Sequence, residues 1–281
     1  MTNYSFMDKL RLSYFMLNDV ESEGNELPDF PGATIVYEVI RLHNGVFLFL
    51  DDHIDRLFAS AELKSFTSVP EKCELYTILK KTVDINKEKN GNVKLIAAFS
   101  GKTYSLTAGF IPHKYPSELD YKLGVRVRSM LAERSDPNAK IINVILKKKV
   151  DKILEDNSIY EVVYVNTEDL ITEGSRSNLF FIKVKTVFTA PSSLVLKGVT
   201  RKYVIEACKN AGLELVEKAI SIEQATEMDA LLITGTSPKV LPVSYLNNHA
   251  YISQSELIDK IIFEYENIFN HYIEAQEHQL V

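Results

Sequence analysis

Leu170-Ile171-Thr172-Glu173-Gly174-Ser175-Arg176-Ser177-Asn178-Leu179-Phe180-Phe181 sets one carboxylate between two apolar runs. The first run ends at Glu173, small polar residues follow, and the second run continues through Ile182. Two such runs joined by turn-forming residues read as two strands. A carboxylate at their junction lies near the interior, where an ionised acid is costly unless a cation or a strong donor faces it. A protonated ring nitrogen on a bound cofactor is one such partner. In isolation the same residues read as a solvated turn, so the flanking chain has to decide.

Outward from this stretch the pattern is mixed. Upstream, apolar runs at residues 36–42 and 46–50 meet at His43-Asn44-Gly45, a tight-hairpin signal. Asp51 and Asp52 offer N-cap acceptors for a helix to about Lys64, with Ile54, Leu57, Phe58 and Ala61 on one face. A second helix starts after Pro70 and ends before Asn90-Gly91, followed by strands at 93–99 and 104–110. Ile111-Pro112-His113-Lys114-Tyr115-Pro116 breaks the pattern and reads as a linker. Beyond it, strands are expected at 121–127, 161–165, 179–184, 213–217 and 230–234. Helices are expected at about 143–155, from Thr200, and at 255–275. The last carries Leu257, Ile261, Ile262, Tyr265, Ile268 and Phe269 on one face, a surface for core or dimer packing. The expectation is an α+β chain of two domains, residues 1–115 and 116–281.

Composition excludes several function classes. The 281 residues are 46% hydrophobic and 25% charged, enough for a sizeable core. A formal net charge of −6 argues against general nucleic-acid binding, which needs clustered cations. Lys147-Lys148-Lys149 sits in an expected helix and reads as a solvated face. Two distant cysteines, Cys73 and Cys208, suit a reducing cytoplasm. The six histidines lack ligand spacing, so no metal site is expected. Neither a signal peptide nor a membrane-spanning segment is read from the sequence.

Four further segments could carry chemistry. Lys140 is flanked by apolar residues just before a helix; an amine nucleophile needs such desolvation to lose its proton, although a snorkelling surface lysine looks the same. Gly198-Val199-Thr200-Arg201 opens a helix, giving either an anion site or ordinary capping by Thr200. Thr234-Gly235-Thr236-Ser237-Pro238-Lys239 follows an apolar strand and lets backbone amides approach a phosphate, though it lacks P-loop spacing. Arg56 could supply a planar cation to the same phosphate, or could pair with Asp52 on its own helix.

Taken in chain order, D-D-H-I-D-R-L-F-A-S-A around Arg56, Lys140, T-E-G-S-R-S-N-L-F around Glu173, Gly198 to Arg201, and T-G-T-S-P-K-V-L-P-V resemble the class IV aminotransferases. This is the fold-type IV pyridoxal phosphate family, which includes branched-chain and D-amino-acid aminotransferases and aminodeoxychorismate lyases. The resemblance runs from about Tyr37 to Val243. It implies a two-domain fold-type IV architecture: a smaller N-terminal α/β domain, a larger C-terminal domain with a mixed, barrel-like sheet, and pyridoxal 5′-phosphate between them. It implies that Lys140 is the Schiff-base lysine and catalytic proton carrier, and that Glu173 partners the pyridine nitrogen. Arg56, Gly198, Val199, Thr200, Thr236 and Ser237 fall at cofactor-binding positions, as do Ser177 and Asn178, and Tyr37 falls beside the substrate. Asn143, three residues after Lys140, follows the D-amino-acid and lyase spacing; Ile145 stands where the branched-chain branch has tyrosine.

Three stretches depart from the family pattern. Gly32-Ala33-Thr34-Ile35-Val36 replaces a G-D-G-like segment, residues 94–107 carry Lys94 and Lys102 but no substrate-binding arginine, and residues 247–253 lack glycine. The expectation is a cytoplasmic homodimer that moves an amino group between a small amino acid and a 2-oxo acid, without nucleic acid or membrane partners. The rivals are a lyase of the aminodeoxychorismate type that releases pyruvate, and a non-catalytic protein retaining the fold.

Overall fold

The computed structural model describes residues 8–277. Its chain divides into two compact units. The first comprises residues up to Lys114, Ala139–Val144, and the chain from Tyr272 onward. It contains β1 (Tyr14–Leu17), β2 (Val20–Glu23), β3 (Thr34–His43), β4 (Val46–Phe47), α1 (Leu50–Leu63), α2 (Lys72–Asn86), β5 (Gly91–Ser100) and β6 (Thr103–Ile111). The strands form one antiparallel sheet in the order β2-β1-β6-β5-β3-β4. At the β3–β4 turn Asn44 and Gly45 both take positive φ, 51° and 88°, as a two-residue hairpin with the native strand twist requires. One sheet face packs Val36, Ile40, Leu95 and Ala97 against Ile54, Leu57 and Ala61 of α1 and Leu75 and Leu79 of α2.

Helix α1 does not begin where the aspartates suggested. Its N-cap is Phe49, in the left-handed region at φ 51°, and Asp51 and Asp52 lie within the first turn. Tertiary packing decides this. Phe49 is buried with its ring centroid 4.8 Å from that of Tyr272, and the Leu50 N–H donates to the Tyr272 hydroxyl at 3.0 Å. The two aspartates then complement the helix dipole instead of capping it.

The lysine segment, expected in the domain after residue 115, belongs to the first unit. Residues 139–144 run beside β3: the Tyr37 N–H donates to the Lys140 carbonyl at 3.1 Å, and the Ile142 N–H to the Ile35 carbonyl at 3.2 Å. Val36 and Ile141 form the β-bridge between them.

The second unit comprises Tyr115–Asn138 and Ile145–His271. Its elements are α3 (Glu118–Leu123), β7 (Val125–Leu131), α4 (Val144–Leu154, whose first residue lies in the other unit), β8 (Glu161–Val165), β9 (Leu170–Gly174), β10 (Asn178–Lys183) and β11 (Thr186–Thr189). They continue with α5 (Val199–Asn210), β12 (Glu214–Glu217), β13 (Ile220–Ser221), α6 (Ile222–Ala225), β14 (Ala230–Gly235), β15 (Lys239–Leu246), β16 (His249–Ala250) and α7 (Glu256–Glu277, whose residues from Tyr272 belong to the first unit). A mixed ten-stranded sheet runs β12-β11-β10-β14-β15-β7-β8-β9-β13, with β16 beside β15.

The strand expected from Tyr121 is replaced there by α3. Ser117 and Asp120 form a capping box at its start, and Gly124 ends it at φ 72°, so the strand begins only at Val125. Along α7 the buried residues are Ile258, Ile261, Tyr265, Phe269 and Ile273, spaced three or four apart. Ile258 therefore takes the core position expected of Leu257, which is half-buried.

The segment that opened the sequence reading forms β9, a three-residue connection, and β10. Strand β9 pairs with β8 and β10 with β14, and the short connection sets Glu173 near the end of β9 and Asn178 at the start of β10.

Candidate active site

In the first unit the bridge to β3 fixes the backbone of Lys140. The Lys140 N–H also donates to Ser60 Oγ at 3.1 Å, and that hydroxyl donates to the Arg56 carbonyl one helical turn earlier, at 2.8 Å. Lys140 Nζ lies 4.8 Å from the centre of the Tyr37 ring, and Lys94 Nζ lies 4.6 Å from the same centre. Lys94 is buried and ion-paired with Asp8. Two amines therefore flank or share one aromatic ring, an arrangement that ring quadrupoles favour.

Arg56 does not pair with Asp52. Its Nε donates to Glu38 Oε1 at 2.8 Å and its Nη2 to Glu38 Oε2 at 2.5 Å. His53 Nδ1 stands 2.7 Å from Glu38 Oε2, so this nitrogen carries the proton. Neither Glu38 nor His53 has a role assigned from the sequence. Both are buried, at 0% and 3% exposure.

Burial by itself would raise the Glu38 carboxyl, but Arg56 and His53 outweigh it and hold the pKa at about 2, below the ordinary 4.5. Burial, more than it is offset by Glu38, lowers His53 below its usual 6.5. Both groups bind protons more weakly folded than unfolded, so their contributions to stability are lost as pH falls. Apoprotein stability is expected to drop below about pH 6.5 through His53, then between about 4.5 and 2 through Glu38, the second step on the order of 3 kcal/mol. Urea titrations at pH 7, 5 and 3 measure this; unchanged midpoints would rule out a buried neutral His53 and an ionised Glu38.

In the second unit Glu173 is 3% exposed, which removes the solvated-turn alternative. Its Oε2 accepts the Leu196 N–H at 3.0 Å, and its Oε1 lies 3.0 Å from Arg134 Nε in an ion pair. The chain thus supplies a cation of its own to this acid. Arg134 lies 39 residues away, in a polar break with no local signal to mark it.

Ser177 and Asn178 donate to protein acceptors. Ser177 Oγ donates to the buried Glu161 carboxylate at 3.0 Å, and Asn178 Nδ2 donates to the Leu196 carbonyl at 3.0 Å. The Asn178 contact holds the residues leading to Gly198. A Cβ at Gly198 would sit 2.1 Å from Asn178 Oδ1, so only glycine fits this approach.

Gly198 is the N-cap of α5 and provides no side chain, and Thr200 does not take the capping role: the first-turn amides have no side-chain cap. Val199 and Thr200 are buried in that turn. Asn178 is also the register partner of Thr234, the last threonine before Gly235-Thr236-Ser237. The buried Thr234 hydroxyl has no hydrogen-bond partner. Uncapped helix amides and an unsatisfied buried hydroxyl, linked through Asn178, fit a phosphate ester. Among the described residues no cluster of acids, cysteines and histidines could hold a metal ion.

The family model for class IV amino-transferases matches residues 35–246. The chain belongs to this family. It is 30% identical over 246 residues to a D-alanine aminotransferase of Bacillus licheniformis, covering 82% of this chain and 83% of that protein. The branched-chain amino acid aminotransferase of Escherichia coli superposes with a TM-score of 0.79 at 19% identity, covering 92% and 94% of the two chains. A provisional 4-amino-4-deoxychorismate lyase of Legionella pneumophila gives 0.74 at 20% identity, covering 84% and 91%. The architecture is therefore the two-sheet fold-type IV one, and the chain is a class IV enzyme whose cofactor is pyridoxal 5′-phosphate.

Proposed function

We propose that this aminotransferase-family chain moves an amino group between a small amino acid and a 2-oxo acid, with Lys140 as its catalytic amine. The observation that carries the reading is the Lys140 segment: backbone bonds hold it beside β3, and its Nζ lies 4.8 Å from the centre of the Tyr37 ring. When bound, pyridoxal phosphate supplies an electron sink for a carbanion at the substrate α-carbon. Lys140 Nζ would hold the cofactor between turnovers and, once released, would take the proton from the substrate α-carbon and pass it to the cofactor C4′.

Glu173 keeps the ring nitrogen protonated. Arg56, Val199, Thr200, Thr236 and Ser237 hold the phosphate, with Gly198 giving it close access and the orphan Thr234 hydroxyl as a further donor. Ser177 and Asn178 support this cofactor shell through Glu161 and Leu196. Tyr37 lines the substrate side. In the strand that lacks the arginine, Lys94 is the second amine at the Tyr37 ring, and its ammonium is paired with Asp8. The reading carries with it a homodimer and a cytoplasmic setting. Among the described residues no helix is long and apolar enough to cross a membrane.

The test is a screen of the purified holoprotein with both enantiomers of the common amino acids, scored by conversion of the cofactor to pyridoxamine phosphate. Conversion by at least one small amino acid is the expected result. Pyruvate release from aminodeoxychorismate without such conversion would favour the lyase, whose Asn143 spacing the D-amino-acid branch shares. Neither reaction would leave the non-catalytic alternative.

A further inference from the structure

Two buried groups, Glu38 and His53, converge on the Arg56 guanidinium. Glu38 lies on β3 between Val36 and Ile40, core residues on the face packed by α1. His53 and Arg56 stand three residues apart on α1 and so share its inward side. Glu38 accepts Arg56 Nε and Nη2 on separate oxygens, at 2.8 and 2.5 Å, and His53 Nδ1 holds the second oxygen at 2.7 Å. This two-point grip fixes both the position and the plane of the guanidinium.

If stability were the only requirement, apolar side chains of similar volume would serve as well as a buried ion pair, and often better. The chain instead places a third polar group, His53, on a carboxylate already gripped twice. The same turn of α1 reaches Lys140, because Ser60 Oγ links the Arg56 carbonyl to the Lys140 N–H.

We propose that Glu38 and His53 are positioning residues that hold the Arg56 guanidinium in the plane in which it meets the cofactor phosphate. The proposal rests on the phosphate role assigned to Arg56 above. Glu38 and His53 act through Arg56 and touch neither substrate nor cofactor. Their contribution is therefore confined to the phosphate and is separable from the pyridine ring and its aldehyde.

The experiment compares apoprotein affinity for pyridoxal phosphate with affinity for pyridoxal, which lacks the phosphate. Each is titrated by the visible absorbance of the lysine-linked cofactor. Glu38→Gln and His53→Leu are expected to weaken pyridoxal phosphate binding tenfold or more while changing pyridoxal binding less than twofold. Glu38→Asp, which keeps the charge but withdraws it by one methylene, should fall between. Arg56→Leu should reproduce the Glu38→Gln pattern.

If Arg56→Leu leaves the ratio of the two affinities unchanged, the phosphate role of Arg56 is wrong and the positioning proposal falls with it. If Arg56→Leu collapses the ratio but the Glu38 and His53 variants preserve it, Arg56 keeps its role and the positioning proposal alone is overturned. Equal weakening toward both ligands marks a purely structural cluster and also overturns it. Should Glu38→Gln fail to fold by circular dichroism, Glu38→Asp and His53→Leu carry the same comparison.

Discussion

Replacing Lys140 with alanine is expected to abolish the visible absorbance of the lysine-linked cofactor and to lower kcat for transamination by about 10³-fold, the range for loss of a positioned proton carrier. The backbone around the residue should survive. Its holding contacts are main-chain ones, from the Tyr37 N–H to the Lys140 carbonyl and from the Lys140 N–H to Ser60 Oγ, and alanine keeps them. The variant should therefore melt within a few degrees of the parent. Removal of Nζ also takes one amine from the Tyr37 ring, leaving Lys94 beside it. A small primary amine such as methylamine should restore part of the rate, because the missing function is a mobile base. Unchanged absorbance and rate in Lys140→Ala would transfer the catalytic role to another amine.

Glu173→Gln should have two effects that can be measured independently. The first concerns stability. Oε1 pairs with Arg134, and Oε2 accepts the Leu196 N–H, with the two side chains 4% and 14% exposed. Removing one partner of a buried pair leaves the other charge uncompensated, at a cost of about 3 kcal/mol. Denaturant unfolding of the apoprotein measures this without any cofactor. In a double-mutant cycle with Arg134→Met, the second substitution should recover much of the loss. A cycle with no coupling would mean that the ion pair contributes nothing.

The second effect concerns chemistry. A neutral amide cannot stabilise a protonated ring nitrogen, so transamination should slow by about 10²-fold or more even where cofactor still binds, the scale of other preorganised electrostatic contacts. Arg134 sharpens this expectation. A ring nitrogen and a guanidinium would share one carboxylate, and Arg134→Met should then raise the proton affinity of the bound cofactor's ring, read as a spectral shift with pH.

The residues that could be read from sequence are those whose signals are local. Asn44-Gly45 demands positive φ wherever it falls, so the hairpin follows from two residues. The alternation of apolar run, acid, small polar residues and apolar run around Glu173 produced β9 and β10, and β10 lies one residue ahead of the expected 179–184. Gly198 before an apolar-periodic helix likewise became the N-cap of α5. By contrast, the aspartates before α1 gave a misleading local signal. The burial of Phe49 against Tyr272 outweighed a side-chain cap and moved the helix start. The strand expected from Tyr121 gives way for the opposite reason: the local signal from Ser117 to Asp120 is a capping box, and it starts a helix there.

Other parts of the site have no local signature at all. Glu38 is one acid in an apolar strand, His53 one histidine in a helix, and Arg134 one cation in a polar loop. Their roles exist only as pairs, with Arg56 and with Glu173, and those pairs are closed by strand register and helix packing.

The sequence by itself determined the family, the order of the cofactor-binding segments, and the kind of residue each one presents, because short motifs carry their backbone requirements with them. Only the tertiary structure decided what those residues face. It took Lys140 out of its neighbours' unit and laid it along β3. It gave Arg56 to Glu38 instead of Asp52, and it met Glu173 with a cation from the chain itself. A buried charge must find its partner wherever the fold brings one, and that pairing is a property of three-dimensional proximity that no spacing along the chain encodes.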